Sequence, residues 1–263
     1  MKTSHPITAK ASDRIKMITL CKHFFAAAIL TVCLASPALA ETITVACAAN
    51  FTAPMKQLAA LYSEKTGVEV QCTFGSTGML YGQIKNGAPI DLFFAADEKR
   101  PAMLQEAGMA GEPKVYAKGK SVLWSKLDAL KNLKDWKDVL KNGQVKSIAI
   151  ATPKTAPYGA AAEKAMQDVG AYKNVADKLV FAKNVGQSFQ FAFSGSADAA
   201  FVALSQGLSE NGAMGTTWPM PEAGLISQAV CPLKDHAAEA DKFLTFVLQA
   251  PEARDIVKKF GYE

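Results

Sequence analysis

The sequence predicts an α/β protein built as two lobes, with mixed, mostly parallel sheets. Strand-like and helix-like segments alternate from residue 43 to the end of the sequence, which is typical of this class. The run "IDLFFAA" is apolar throughout rather than alternating, as in a strand covered on both faces. The 263 residues suffice for one large domain or two modest ones.

The first forty residues are predicted to be a cleaved secretory signal peptide rather than part of the fold. Lys22 precedes the apolar run "FFAAAILTVCLAS", and a small-x-small site ends at Ala40. The run is too short for a membrane span. Val32 before Cys33 does not suit a lipid-anchor site, so we expect export to the periplasm without an anchor. The polar residues ahead of the run suggest that translation starts at Met17.

The charge balance after residue 40 excludes partners that need a strongly basic surface. Residues 1–40 hold five of the 29 Lys and Arg residues and one of the 24 acidic residues. The remaining chain therefore carries 24 basic and 23 acidic side chains, a net charge of +1. A nearly neutral chain offers no field for nucleic acid or a membrane surface.

The cysteines and histidines give little support for a metal centre. Cys47, Cys72 and Cys231 follow the predicted cleavage site, together with a single histidine, His236. No Cys-x-x-Cys pair occurs, so we expect no resident metal ion or cofactor. Cys47 and Cys72 fall near the ends of two strands that could be neighbours. A disulfide between them is possible, although buried cysteine usually behaves as a small apolar residue.

The first three strands are predicted in "TITVACA", "VEVQCTF" and "IDLFFAA". Between the first two, apolar residues recur at helical spacing and form one stripe: Phe51, Met55, Leu58 and Tyr62. Between the second and third, "STGMLYGQIK" reads as a short helix that Gly87 and Pro89 terminate.

The alternation restarts after a long strand-like segment, "VYAKGKSVLWS". Further strands are predicted in "SIAIA", "KLVFA", "DAAFVAL" and "GLISQAVCPL", and the sequence closes with one or two helices. Chain crossings near residues 115–125 and 222–230 would divide the fold. We therefore predict one lobe from residues 41–120 and 226–263, and a second from residues 121–225.

Four strand-to-helix junctions are the candidate functional segments. In open α/β sheets, ligands bind beyond the carboxyl ends of the strands, near helix N-termini. Such N-termini present free N–H groups and a partial positive charge. The four junctions are small, hydroxyl-rich or amide-bearing and contain no carboxylate, which predicts an anion site. They are "AANF" (48–51), "FGSTG" (74–78), "KTAPYG" (154–159) and "KNVGQ" (183–187).

Each junction alone has an ordinary structural explanation. Asn50 and Thr77 are residue types that commonly cap helix N-termini. The glycines of "GSTG" are suited to a turn, and their spacing is not that of a P-loop. Tyr158 could be a packing residue with a hydrated hydroxyl group. The prediction of an anion site therefore depends on the recurrence of one chemistry at all four junctions.

Four stretches resemble the molybdate-binding periplasmic proteins of ABC transporters. They are "ITVACAANF", "FGSTGMLYGQIKNGAPIDLFFAAD", "TAPYGAAAEKAM" and "FVALSQ", and the resemblance extends over about residues 42–262. It implies the type II fold of periplasmic binding proteins, in which two lobes close on a ligand. It further implies a monomer that captures molybdate in the periplasm and delivers it to an ABC permease.

The resemblance also implies which residues hold the oxyanion, through hydroxyl groups, an amide and backbone N–H groups. Ala203 stands where some members carry a tyrosine ligand, so that variant does not apply here. The implied ligands are the amide of Asn50, the hydroxyl of Thr77 with Ser76 as its alternative, Tyr158, and the backbone N–H groups of Val185 and Ala49. The metal is bound only as its oxyanion, with no direct metal-ion ligand.

Several alternatives stay open at this point. The same fold could bind tungstate, sulfate or a small organic phosphate or carboxylate. Ferric ion fits less well, because no Tyr-Tyr pair exists. A secreted hydrolase would need His236 for its triad, and "GSTG" is not a Gly-x-Ser-x-Gly elbow. An adhesin or structural protein would leave the four polar junctions unexplained. We therefore expect a binding protein rather than an enzyme.

Overall fold

The computed structural model describes residues 42–263, so the predicted signal peptide and the Met17 start lie outside the described residues. Residues 41–263 form one compact unit. None of the helices within residues 42–263 has the length and apolar character that a membrane crossing requires. The strands are β1 (Thr42–Ala48), β2 (Glu69–Gly75), β3 (Leu92–Phe94), β4 (Lys114–Ser125), β5 (Ile148–Ala151), β6 (Leu179–Ala182), β7 (Ala199–Ala203), β8 (Thr216–Pro219) and β9 (Leu225–Pro232).

Helices connect most of these strands in the predicted alternating order. Short 3₁₀ turns supplement them, and the one at Ala49–Phe51 joins β1 directly to the first helix. The helices are α1 (Thr52–Thr66), α2 (Thr77–Lys85), α3 (Lys99–Glu106), α4 (Trp136–Lys141), α5 (Pro157–Asp168), α6 (Tyr172–Val175), α7 (Val185–Phe193), α8 (Leu204–Gly207), α9 (Ala238–Gln249) and α10 (Pro251–Lys259).

The strands form an open mixed sheet, as predicted. Its order is β2-β1-β3-β9-β4-β7-β5-β6, with β8 paired to β4 beside this path. The parallel pairs are β1 with β2 and β3, and β5 with β6 and β7. All antiparallel pairs involve β4 or β9, so parallel and antiparallel pairings are equal in number across residues 42–263. The long crossing strands therefore make the sheet more evenly mixed than the βα repeat suggests.

Strand β4 belongs to two groups of strands. Its first part, residues 114–120, pairs with β9, which continues to β3, β1 and β2; we call these strands the first group. Its second part, residues 121–125, pairs with β7 and β8, and β7 continues to β5 and β6; these form the second group. The assignment of two separate lobes with the boundaries given above stays a prediction.

Two of the hydrophobic cores bury the predicted helical stripe and the centre of the second strand group. Phe51, Met55, Leu58 and Tyr62 are all buried in the first core, which also takes in Phe243 of α9. A second core lies under the other strand group and contains Trp136, Ile150 and Phe201. Burying a large apolar side chain stabilises the fold by about 1.5–3 kcal/mol, so these faces hold the junctions in place.

Two local features differ from the sequence-based reading. The strand β8 was not predicted, because its four residues, "TTWP", lack an alternating pattern and pair only through the distant β4. Helix α7 begins at Val185, three residues before the expected helical run, with Asn184 as its N-cap accepting a hydrogen bond from the Gln187 N–H. Val185 is therefore the first residue of a helix rather than part of a loop.

Candidate functional site

The four predicted junctions meet around one small cavity. Its volume is about 10 Å³, so a ligand larger than one water molecule fits only when the surrounding junctions move apart. All six candidate residues named above line this cavity. Its wall consists of Ala48, Ala49, Asn50, Gly75, Ser76, Thr77, Ala96, Ala156, Pro157, Tyr158, Asn184 and Val185.

Helix N-termini supply the polar backbone of the cavity wall. Helix α2 begins at Thr77, α5 at Pro157 and α7 at Val185, and the 3₁₀ turn Ala49–Phe51 leads into α1. The first N–H groups of a helix have no acceptor within that helix. Together with the helix dipoles they create a positive potential without a positively charged side chain. Four such termini around one cavity suit an anion.

The hydroxyl groups of Ser76 and Thr77 differ in their bonding. Ser76 is 3% exposed, and its Oγ has no hydrogen-bond partner in the structure. Thr77 Oγ1 accepts a hydrogen bond of 3.0 Å from the Ala96 N–H, which leaves its own hydrogen available. Although Ser76 occupies the N-cap position of α2, its side chain makes no capping bond. The possibility that Thr77 merely caps the helix is therefore wrong.

The side-chain amide nitrogen and the backbone carbonyl of Asn50 are engaged behind the cavity. Its Nδ2 donates to Gln228 Oε1 at 2.7 Å and to Tyr262 OH at 3.0 Å, so both amide hydrogens are used. Its carbonyl oxygen accepts bonds from Ser205 Oγ at 2.7 Å and Tyr262 OH at 2.8 Å. No side chain caps the 3₁₀ turn or α1, so the capping role considered for Asn50 is also wrong.

Gln228 joins Asn50 to two further tyrosines. It is completely buried; its Nε2 donates to Tyr158 OH at 3.2 Å, and its Oε1 accepts from Tyr116 OH at 3.0 Å. Burial raises the pKa of Tyr158 well above its ordinary value, with the nearby Tyr262 adding to the effect, so the phenol stays protonated. We call this set the buried network: Asn50, Tyr116, Tyr158, Ser205, Gln228 and Tyr262.

Sequence reasoning identified Asn50 and Tyr158 but missed the other members of the buried network. Asn50 and Gln228 are separated by 178 positions, and Asn50 and Tyr262 by 212, so no local pattern joins them. One clue was present: Gln228 is a polar residue directly before the apolar run "AVC" of the strand-like segment "LISQAVCPL". A polar side chain in a fully buried strand needs partners.

Gly119 of β4 leaves the space that the buried network occupies. A Cβ atom at this position would lie 1.9 Å from Tyr158 OH and 2.6 Å from Gln228 Nε2. Both distances are shorter than any van der Waals contact. The close approach of the tyrosine and glutamine side chains to this strand therefore requires glycine.

The wall of the cavity is uncharged along the part of the chain that the structure describes. Within the described part of the chain, its wall includes no Asp, Glu, Lys or Arg. Asp97, next to the wall residue Ala96, forms an ion pair with Arg100. Arg100 Nη2 also donates to Lys154 O at 3.1 Å, and the Gly78 N–H donates to Thr155 O at 2.8 Å. These bonds tie α2 and α3 to the segment that precedes α5.

The residues that a metal centre or triad would use lie elsewhere. In residues 42–263, no group of three His, Cys, Asp or Glu side chains could hold a metal ion. His236 Nε2 lies 3.0 Å from Asp241 Oδ2 and its Nδ1 2.7 Å from Leu233 O, so neither ring nitrogen contacts a cavity hydroxyl. The three cysteines of this region are free, so the possible bridge between Cys47 and Cys72 is not formed.

Comparisons with known proteins agree with this geometry. The family model for bacterial extracellular solute-binding proteins matches residues 43–263. A molybdate-binding protein of Rhodobacter capsulatus is 43% identical over 235 residues, which cover 87% of this chain and 91% of the relative. A molybdate-binding protein of Azotobacter vinelandii is 40% identical, with coverage of 87% and 92%.

A solved structure shows the same architecture. The periplasmic molybdate-binding protein of Azotobacter vinelandii superposes with a TM-score of 0.77 at 35% sequence identity, covering 84% of this chain and 98% of that one. These matches confirm the resemblance noted in the sequence. They also agree with a binding role rather than an enzymatic one, because the matched family consists of solute-binding proteins. The chain therefore belongs to the bacterial extracellular solute-binding proteins.

Proposed function

We propose that this protein captures molybdate in the periplasm and delivers it to the permease of an ABC transporter. The observation that carries the proposal is the cavity itself, where four helix or 3₁₀ N-termini meet two available hydroxyl groups without a charged side chain. Two relatives at 43% and 40% identity bear the name of molybdate-binding proteins, which supports the choice of ligand.

Ser76 and Thr77 are the proposed side-chain donors at α2. Ser76 Oγ is buried and without a partner, so a bound oxyanion would satisfy it. Thr77 Oγ1 already accepts one bond and can donate its hydrogen to the ligand. The sequence-based assignment placed Thr77 first and Ser76 as its alternative; the bonding pattern favours a role for both.

The other proposed ligands act mainly through the backbone. Ala49 and Val185 offer N–H groups at the start of the 3₁₀ turn and of α7. The side chain of Asn50 is occupied, so its contribution to the anion is its backbone N–H. Tyr158 contributes its protonated hydroxyl or its backbone N–H at the start of α5.

A neutral, donor-only cavity selects for a fully ionised tetrahedral anion. Molybdate is a dianion at neutral pH with four acceptor oxygens and no proton to donate. A carboxylate in the wall would repel it, whereas N–H and O–H donors satisfy every oxygen. Each hydrogen bond to a charged group contributes about 1.5–3 kcal/mol. This contribution is net of the bonds to water that the ion gives up, so several such bonds together provide its affinity.

Capture and release then follow from movement of the two strand groups. Ser76 and Thr77 lie at the start of a helix that connects strands of the first group. Tyr158 and Val185 lie at the starts of helices that connect strands of the second group, so the anion completes bonds to both sides. A ligand that bonds both sides stabilises the closed arrangement. We propose that the protein acts as a monomer and that contact with the permease reopens it. No cofactor is required for this cycle.

Isothermal titration calorimetry of the purified protein tests the proposal. We expect saturable one-to-one binding of molybdate, similar binding of tungstate, which shares its charge and shape, and much weaker binding of sulfate and phosphate. Small organic phosphates and carboxylates serve as further controls, because the same fold could accept them. Absence of binding to both molybdate and tungstate would refute the proposal.

A further inference from the structure

Tyr262 reaches the back of the anion cavity from a distant part of the chain. It follows α10 and is 5% exposed. Its hydroxyl oxygen lies 3.0 Å from Asn50 Nδ2, 2.8 Å from Asn50 O and 3.1 Å from Ser205 Oγ. One hydroxyl group therefore contacts the side-chain amide nitrogen and the backbone carbonyl oxygen of Asn50. It also contacts Ser205, which follows a strand of the second group.

The segment that carries Tyr262 is held firmly on both sides. The N–H and C=O groups of Glu263 pair with those of Lys118 in β4, at 3.0 and 2.8 Å. Gly261 has a φ of +77°, and a Cβ there would lie 2.8 Å from Leu204 Cδ2 and 2.9 Å from Leu208 Cδ1. Only glycine allows this left-handed backbone so close to α8. The backbone bonds of Glu263 and the close packing of Gly261 thus fix the backbone on both sides of Tyr262.

The ring of Tyr262 packs against the same turn that its hydroxyl group contacts. Its centroid lies 5.1 Å from that of Phe51 in an edge-on arrangement with an interplanar angle of 69°. Phe51 follows Asn50 in the 3₁₀ turn; Asn50 lines the cavity, and Phe51 is buried in the first core. Burial raises the pKa of Tyr262 to about 12, so its hydroxyl remains a donor at neutral pH.

Asn50 O receives bonds from both strand groups at once. Ser205 Oγ donates to it from α8, directly after β7 of the second group, and Tyr262 OH donates to it from the core of the first group. The carbonyl oxygen has two lone pairs and can accept both. The position of the Ala49–Phe51 turn, and of its N–H groups at the cavity, is thereby linked to the contact between the groups.

We propose that Tyr262 is a positioning residue of the anion site. Its hydroxyl holds the Ala49–Phe51 turn against Ser205, so that the N–H groups of Ala49 and Asn50 point into the cavity when the two strand groups are together. The inference deepens the proposed function and, for its effect on affinity, rests on it. It assigns no direct contact between Tyr262 and the ligand.

The variant Tyr262→Phe tests the proposal, because it removes the hydroxyl and keeps the ring against Phe51. We expect hydrogen exchange of the backbone amides of residues 49–53 to become at least several-fold faster in the ligand-free protein. We also expect the Kd for molybdate, measured by titration calorimetry, to rise about tenfold. Ser205→Ala removes the second donor to Asn50 O and is expected to change both measurements in the same direction.

The matched control is Tyr62→Phe, a buried tyrosine whose hydroxyl bonds Glu239 Oε1 at 2.9 Å in another part of the first core. It is expected to reduce thermal stability without changing exchange at residues 49–53 or the Kd. Unchanged local exchange in Tyr262→Phe would overturn the inference, as would equal effects in the control. If the wild-type protein binds no molybdate, the proposed function fails, and the exchange measurement alone decides on Tyr262.

Discussion

The cavity and the buried network lie next to each other and have opposite hydrogen-bonding states. At the cavity, Ser76 Oγ has no partner and Thr77 Oγ1 has a hydrogen to spare. In the buried network, the Asn50 side-chain amide donates two hydrogen bonds, and Gln228 uses both its amide nitrogen and its amide oxygen, at 2.7–3.2 Å. The four side chains of Ser76, Thr77, Asn50 and Gln228 are all buried.

This difference separates binding groups from supporting groups. A buried polar group without a partner destabilises a fold, so it indicates a place where a ligand completes the bonding. A buried polar group with all of its bonds made rigidifies its surroundings. Asn50 belongs to both regions, since it lines the cavity while its side chain is committed to the network. The side chain of Asn50 therefore supports the cavity wall, and its backbone N–H is the group left for the ligand.

The largest effect is expected when the network is displaced. Gly119→Ala places a Cβ 1.9 Å from Tyr158 OH and 2.6 Å from Gln228 Nε2, so both side chains must move. Because Tyr158 also lines the cavity, we expect affinity for molybdate to fall by about a hundredfold or more. Overpacking should also lower the free energy of unfolding by about 1–3 kcal/mol. Calorimetry and thermal unfolding measure the two effects.

A glycine substitution that meets no neighbour provides the control for this variant. Gly82 lies in α2, and a Cβ there has nothing within 4 Å. Gly82→Ala is expected to leave the affinity unchanged and to stabilise the helix by about 0.5–1 kcal/mol. Equal affinities of the Gly119→Ala and wild-type proteins would show that the network does not position the cavity.

Removing the unpaired hydroxyl of Ser76 should reduce the affinity less than Gly119→Ala does. It should not destabilise the ligand-free protein. Ser76→Ala deletes one bond to a charged ligand, so we expect the Kd for molybdate to rise about 10- to 100-fold. The ligand-free protein should be as stable as the wild type or more so, because a buried hydroxyl without a partner is lost. Calorimetry combined with chemical denaturation measures both quantities.

The second unpaired buried hydroxyl, Ser121 Oγ, makes this comparison sharper. Ser121 lies in β4 and does not line the cavity. Ser121→Ala should preserve or raise stability in the same way but leave the affinity unchanged. If the two serine variants have the same affinity as the wild type, the free hydroxyl of Ser76 is not a ligand.

The smallest expected effect is that of pH on binding. The cavity wall contains a single titratable side chain, Tyr158, among the residues that the structure describes. Burial raises the pKa of Tyr158, so its neutral form persists to higher pH than in water and its donor is retained. The Kd for molybdate should therefore stay constant from about pH 6 to 9. A change of tenfold or more within this range would indicate an ionisable ligand outside the described wall.

Much of the fold followed from local patterns. The run "TITVACA" forms β1 with the predicted bounds, and the stripe from Phe51 to Tyr62 is buried as expected. Alternating segments predicted the mixed α/β class, and their strand-to-helix junctions predicted where a ligand could bind. Such features depend on neighbours within a few positions, which the sequence displays directly. The edge strand β8 was missed because its stability comes from pairing with β4, far away in the chain.

The sequence by itself determined the chemistry of the candidate site: small residues, hydroxyls and an amide at four junctions, with no carboxylate. The tertiary structure alone decided how each group is used. It brought Gln228 and Tyr262 to Asn50 across 178 and 212 positions and left Ser76 Oγ without a partner. The physical reason is that a donor is available to a ligand only when no protein acceptor has taken it. Which acceptors lie within reach depends on chain segments that only folding brings together.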